Sequence, residues 1–429
     1  MTASLTPTSR HNRFLAAVHP TVGAPLPAWP LLILLYGFPL VWAAGFMQFA
    51  PTVLAGIMIL YLIMRRRALV HPTMWIWFAL MFWGFVCIIS IDSSSDFLGW
   101  FQRYMNIFNV GIYTLYFFNA RERVPNHTLL GGLLTVWFTV VILGWLALYF
   151  PDFRLRTPMS FVMPGGLMNN DLVRDYVLPP MAEVQLPWGA PEAYNRPSAP
   201  FPYANSWGLA YTLLTPVVFA FMAGVRSRAI QLGLGLAVVL SLYPAISTSN
   251  RGMFIGLGAS CFYVLFRLLL NGNWRALGIG TGLLTSAVIY LFASGSVEAI
   301  LGRQEYSNST GGRASLYQIT FDYVLRSPLV GYGNTRMSDS VGVSMGTQGQ
   351  IWMLMFCFGF VGLALFLMYL ISVLVNTWHL ASVTGMWVHS VIVSALSVVV
   401  FYSFDVIQLT VLMLCVAMMM RSRMYGEGL

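Results

Sequence analysis

Long apolar runs alternate with short polar breaks along most of the chain. The runs fall at 29–47, 49–64, 73–91, 98–118, 128–149, 206–224, 229–246, 252–270, 276–293, 350–374, 384–402 and 406–420. A helix needs about 20 apolar residues to cross the hydrocarbon core of a bilayer. The runs lack the alternating pattern of barrel strands, and backbone in lipid must pair with itself, so they predict helices. The pattern thus predicts an all-α polytopic membrane protein with about twelve transmembrane helices, forming one membrane domain over 1–429. The polar start, MTASLTPTSRHNRFLAAVHP, carries no signal cleavage site and reads as part of a cytoplasmic tail over 1–28.

Two interruptions are long, at 150–205 and 294–349. Loops of that size are uncommon in compact proteins unless they carry function. The second contains 309-STGGRASLYQITFDYVLRSPLVGYGN-334, a polar segment between apolar neighbours. Within it, Leu316, Ile319, Thr320, Tyr323 and Val324 recur at helical spacing, which predicts a helix over 313–326. Asn308, Ser309 or Thr310 caps its start, and Pro328 stops it. About fifteen residues are too few to span, so the helix should lie in the outer interface, with Gly331 and Gly333 turning the chain after it. An ordinary amphipathic surface helix fits the same pattern.

Composition agrees with the membrane class. The chain is 58% hydrophobic and 9% charged, with 30 Phe and 14 Trp. All 23 basic residues are Arg, and the net charge is +9. With both termini cytoplasmic, the inner loops collect thirteen Arg against Glu122 and Glu427, whereas the outer loops hold nine Arg against twelve acidic residues. That asymmetry is the positive-inside rule, so the basic excess reports topology and predicts a bilayer, not nucleic acid, as partner. The triple Arg at 65–67 reads as an anchor against anionic lipid. Cys87, Cys261, Cys357 and Cys415 each fall in a run without metal-ligand spacing and read as packing residues. No metal site and no internal repeat is apparent.

Four arginines fall at or beyond the outer face. Arg196 lies in NRPSAPFPYANSWG, Arg251 in STSNRGMFIGL, and Arg303 and Arg313 flank a polar turn in GRQEYSNSTGGR. Arg presents a planar fork that matches phosphate and stays charged. A cluster at a membrane mouth suits a lipid diphosphate, although each Arg alone also fits a snorkelling or ion-paired residue.

Three segments in order resemble the O-antigen ligase and O-antigen polymerase superfamily: RPSAPFPYANSWG before a run, TSNRG at the head of another, and GGRASLYQITFDYVLRSPLVGYG followed by a long loop and GFVG within a run. Together they cover roughly 190–365. The resemblance implies a glycosyltransferase of the bacterial cytoplasmic membrane with its active face outward. It implies an undecaprenyl-diphosphate-linked saccharide as donor and a glycan or lipid hydroxyl as acceptor, with no metal and no nucleotide cofactor. By the same resemblance, Arg196 and Arg251 contact the diphosphate, and Arg313 orients the loop or binds phosphate or sugar.

The sequence departs from ligases in one respect. Counting back from Gly359 to where they carry a His-Asn pair lands on Gln348. None of the six histidines falls on the outer side. The candidates for the acceptor's proton are therefore carboxylates, Glu305, Asp339 or Asp405, while Gln348 can only hydrogen-bond. Diphosphate is a good leaving group, so arginines stabilising its charge can also supply much of the catalysis. The missing histidine favours a polymerase, or a ligase for a glycan other than that joined to lipid A.

Trp188, Tyr194, Phe201 and Tyr203 in the first long loop fit either sugar stacking or an interfacial aromatic belt. The rival class is a transporter or flippase of anionic or lipid-linked sugars, with a non-catalytic scaffold behind it. A transporter needs polar groups near the midplane, and only Arg103, in WFQRYMN, is a plausible intramembrane charge.

Overall fold

The computed structural model describes residues 24–169, 171–185, 193–293, 309–338 and 344–429. Its helices are α1 (Trp29–Leu35), α2 (Phe38–Ala43), α3 (Ala50–Arg65), α4 (Met74–Val86), α5 (Ser94–Asn119) and α6 (Asn126–Tyr149). A long connection then carries α7 (Gly165–Met168), α8 (Asp171–Val177) and the strands β1 (Ala182–Gln185) and β2 (Tyr194–Pro197). The second half holds α9 (Ala204–Gly224), α10 (Arg228–Ser247), α11 (Arg251–Leu270), α12 (Trp274–Ala293), α13 (Ser309–Val324), α14 (Gln350–Asn376), α15 (Val383–Val398) and α16 (Val406–Tyr425).

Six of these, α6, α9, α10, α11, α14 and α16, are long and apolar enough to cross a membrane. Shorter apolar helices lie at 50–65, 74–90 and 383–398. The 26-residue α5 is long enough but less apolar, because Gln102, Arg103, Asn106 and Asn109 interrupt it. Among the described residues, the expectation of an all-α chain meets an exception in the first long loop. That loop folds into short helices and an antiparallel ribbon, with Glu183 opposite Arg196.

Several expected boundaries shift for local reasons. The run at 29–47 is two helices, not one. Pro39 has no N–H to give the carbonyl four residues back, and the chain turns at Tyr36 and Gly37, both bonded to the Leu32 carbonyl. The run at 384–402 stops at Val398, because residues 399–404 turn to meet the start of α14. There the Gln350 N–H donates to the Tyr402 carbonyl at 2.8 Å, and the Phe404 N–H donates to Gln350 Oε1 at 2.8 Å.

The helix expected at 313–326 is α13, Ser309–Val324, so Leu325 and Arg326 fall in the following turn. Its expected apolar face is the packed one. Leu316, Thr320 and Val324 are buried against α14, with Ile319 and Tyr323 half-buried beside them. Asp322 and Arg326 stay exposed, with the Arg326 guanidinium 4.6 Å from the Tyr323 ring.

After α13, the PLVGYG turn docks onto a break in α14. Gly359 leaves the helical conformation at φ +67°. The break strips carbonyls of their helical donors, and the turn replaces them. Tyr332 N–H donates to the Phe356 carbonyl at 2.8 Å, and Gly333 N–H to the Cys357 carbonyl at 2.9 Å. Trp83 Nε1 donates to the Phe358 carbonyl at 2.9 Å. In return the Phe360 N–H donates to the Pro328 carbonyl at 2.8 Å. Each buried backbone group left unpaired would cost about 1–3 kcal/mol, so this exchange keeps an apolar helix broken at a fixed place.

At the centre stands α16, buried on every side from Val406 to Arg421 and packed against α5, α15 and α9. A helix that is apolar all round is stable only inside such a bundle. By contrast, α10 exposes Leu232, Leu236, Val239 and Leu240, a face suited to lipid. One end of the bundle gathers arginines onto helix-end carbonyls: Arg65 on Asn119, Arg267 on Leu380, Arg421 on Val124 and Arg423 on Asn376. The four cysteines are free, three of them buried.

Candidate functional site

At the opposite end lies a cavity of about 480 Å³. Its walls come from well-separated parts of the chain. Gln102, Arg103 and Asn106 face it from α5, and Tyr176, Tyr203, Asn205 and Ser206 from the first long loop and the start of α9. Thr335 and Gly346–Gln348 come from the second loop, and Phe401–Asp405 from the turn before α16. Its size is that of a small-molecule site.

Asp405 is the N-cap of α16 and reaches the cavity half-buried. Ser206 Oγ donates to its Oδ2 at 3.2 Å. Burial raises the Asp405 carboxyl above the usual carboxylate range, with Ser206 and the charge of Arg103 pulling partly the other way. Gln348 lines the same cavity, its Nε2 donating to Thr347 Oγ1 at 3.1 Å. The fold thus brings together two of the residues singled out in sequence, a carboxylate and the amide at the expected histidine position. Among the described residues no three of His, Cys, Asp and Glu gather as metal ligands.

Arg196 is placed differently. It is 3% exposed and does not line the cavity. Its Nε donates to the Thr248 carbonyl at 2.7 Å, and its Nη2 to Asn250 Oδ1 at 2.7 Å and Asn205 Oδ1 at 3.1 Å. Glu183 Oε2 lies 3.9 Å from Nη1. The side chain clamps β2 to the α10–α11 turn. Arg251 follows on that turn as the first residue of α11, half-buried. Its neighbour Gly252 packs against the ring of Tyr402, a cavity residue, where an added Cβ would approach to 2.7 Å.

Arg313 lies in the first turns of α13, while Arg303, Glu305 and Asp339 lie outside the described residues. Of the aromatic candidates, Phe201 is buried, Tyr203 is 46% exposed and lines the cavity, and Trp188 lies outside the described residues. Burial, with the charges of Asp175, Asp405, Glu183 and Asp171 nearby, raises the Tyr203 phenol.

The residue that sequence reasoning did not select is Arg103. Its signal was present in WFQRYMN, where Gln102, Arg103 and Asn106 sit within one helical turn of each other in an apolar context. Its Nη1 donates to the Gly99 carbonyl at 2.9 Å and Asn334 Oδ1 at 2.6 Å, and its Nη2 to Thr335 Oγ1 at 2.8 Å. Asn334 and Thr335 directly follow the GYG turn. The second loop therefore reaches the cavity through its grip on Arg103.

A cavity lined by a cation, a carboxylate that burial raises above its usual range, amides and an exposed tyrosine can hold an anionic, hydroxyl-rich ligand and accept a proton from it. No curated protein matches the chain. Residues 236–367 match the family model described as O-antigen ligase, and that match places the segment from α10 to α14 in the O-antigen ligase superfamily.

Proposed function

We propose that the protein transfers a glycan from an undecaprenyl-diphosphate carrier to an acceptor hydroxyl at the outer face of the bacterial cytoplasmic membrane, as an O-antigen ligase-like enzyme or a polysaccharide polymerase. The family match supports glycan transfer of this kind. The observation that carries the reading is Asp405, a carboxylate lining the same cavity as Gln348 and Arg103. In this reading Asp405 takes the proton of the acceptor hydroxyl. The freed oxygen attacks the anomeric carbon of the donor, the bond from that carbon to the diphosphate oxygen breaks, and the carrier diphosphate leaves with the electron pair. Protein cations stabilise the charge it gains, and no metal is needed.

The orientation rests on the Arg-bound helix ends opposite the cavity, which fit a cytoplasmic face holding both termini of a twelve-span chain. Arg251, Arg303 and Arg313 remain diphosphate contacts in this reading. Arg196 acts through its hold on the turn that carries Arg251. Glu305 and Asp339 stand behind Asp405 as alternative bases.

Reconstitution with one lipid-linked repeat tests the proposal. Chain lengthening with no second acceptor identifies a polymerase. Product formed only after adding a lipid or protein acceptor identifies a ligase. Cells carrying Arg251→Ala should accumulate lipid-linked precursor outside. Precursor trapped inside would instead support a flippase.

A further inference from the structure

Arg103 lies nine residues past Ser94, about 14 Å along α5 at the usual helical rise. A guanidinium among the apolar residues of such a bundle is unfavourable unless an anion, a water-filled cavity or a set of polar groups receives it. The ion pairs among the described residues are Arg154–Asp175, Arg174–Asp171, Arg196–Glu183, Arg336–Asp92 and Arg421–Glu427. Arg103 belongs to none of them. Its partners are three neutral oxygens, on Gly99, Asn334 and Thr335. Those contacts use three of the five N–H donors of a guanidinium. The Nε–H and one Nη2–H have no protein partner among the described residues, and the side chain forms part of the cavity wall.

The fork is also held in place. Asn334 Oδ1 accepts from Arg103 and from the Thr335 N–H at 2.9 Å, while Asn334 Nδ2 donates to Asp96 Oδ1 at 3.1 Å. Gly99 leaves room for this amide, since an added Cβ there would lie 2.1 Å from Asn334 Oδ1. A charged fork with two remaining donors, fixed before any ligand arrives, is the arrangement that binds phosphate oxygens with little ordering cost. Arg196, with its donors turned to Thr248, Asn205 and Asn250, offers a poorer fit.

We propose that Arg103 binds the diphosphate of the lipid-linked donor through its Nε–H and Nη2–H, with Asn334 as the positioning residue that aims it. The proposal rests on the donor class of the preceding reading. Its geometry places the diphosphate beside the acceptor-facing wall of Asp405, so the leaving charge forms against Arg103.

Binding of undecaprenyl diphosphate to the full-length protein in detergent tests it, measured for wild type, Arg103→Gln and Arg103→Lys, with thermal unfolding in parallel. The glutamine variant should bind roughly tenfold to a hundredfold more weakly, the loss of a charged hydrogen bond. The lysine variant should fall between. Asn334→Ala should raise KM for the donor several-fold, and its binding should weaken without a matching fall in melting temperature. Phosphatidylglycerol serves as the competing headgroup and should bind all variants alike. If wild type binds undecaprenyl diphosphate and Arg103→Gln and Arg103→Lys bind it equally well, the Arg103 assignment is overturned and the donor class stands. If Arg103→Gln loses phosphatidylglycerol to the same degree, Arg103 is a general lipid contact and the assignment again fails. If wild type binds no undecaprenyl diphosphate, the donor reading itself fails.

Discussion

Ser206 Oγ donates to Asp405 Oδ2 at 3.2 Å, tying the first turn of α9 to the N-cap of α16. The donor steadies the ionised form of a carboxyl that burial drives toward its neutral form. As a general base Asp405 must be ionised, so transfer should rise with pH through its raised pKa, above the ordinary ~3.9 of Asp. Ser206→Ala removes the steadying bond and should move this acidic limb to higher pH. The stability term has the opposite sign. Because the folded-state value is raised, stability is lost as pH climbs from the unfolded value through the folded one. Rate–pH profiles and melting temperatures on the same samples check both signs.

Asp405→Asn should lower transfer by about 10²–10⁴-fold, the usual contribution of a general base. It should leave the melting temperature level or higher, since it removes a charge from a desolvated place. Full rate in this variant would remove Asp405 from the mechanism and pass the role to Glu305, Asp339 or the leaving group alone.

Gly359→Ala should destabilise the protein severely. An added Cβ would lie 1.8 Å from the Leu329 carbonyl oxygen, and φ there is +67°. The backbone strain alone is roughly 1–3 kcal/mol, and the clash falls on main chain that cannot swing aside. Heat unfolding in detergent should show a large drop, or no folded protein.

Arg196→Ala should act on folding more than on ligand. It leaves the buried Asn250 Oδ1 and Thr248 carbonyl without their donor, at about 1–3 kcal/mol for each unsatisfied group, and removes the cation 3.9 Å from Glu183. Arg196→Lys should rescue little, because one ammonium cannot reach the carbonyl and both amides as the planar fork does. A variant that melts like wild type but fails to bind donor would return Arg196 to direct contact.

Gly99→Ala should raise KM for the donor, since the new methyl displaces Asn334 and frees the Arg103 fork. Steady-state kinetics with varied donor check it, the expected change being larger in KM than in kcat.

Much of the helical scaffold was legible because apolar length and helical spacing act locally. The packed face of α13, from Leu316 to Val324, could be read from spacing alone. Gly359 could not be placed as a break, because nothing in GFVG distinguishes it from other glycines in apolar helices. Its conformation is set by Pro328–Gly333, which the sequence shows only as a turn. The site was half legible. Gln348 follows from counting back from Gly359 in the pattern of the resembling family, Asp405 is one of the three candidate outer carboxylates, and both line the cavity. Arg196 looked like a ligand residue because sequence shows a charge without its partners, and Asn205, Thr248 and Asn250 take up its donors. Arg103 was judged by its place in a run, whereas its neighbours across the fold, Asn334 and Thr335, give it its setting.

The break in α14 also bears on the order in which the chain can become structured. Residues 328–333, which bind the freed backbone groups, are synthesised only shortly before 356–360, which need them. The broken helix and its turn can therefore close on each other across a short stretch of chain, at the low entropic cost of a small loop. Only the Phe358 carbonyl waits on a partner far away in sequence, and that partner, Trp83, has by then long since been made.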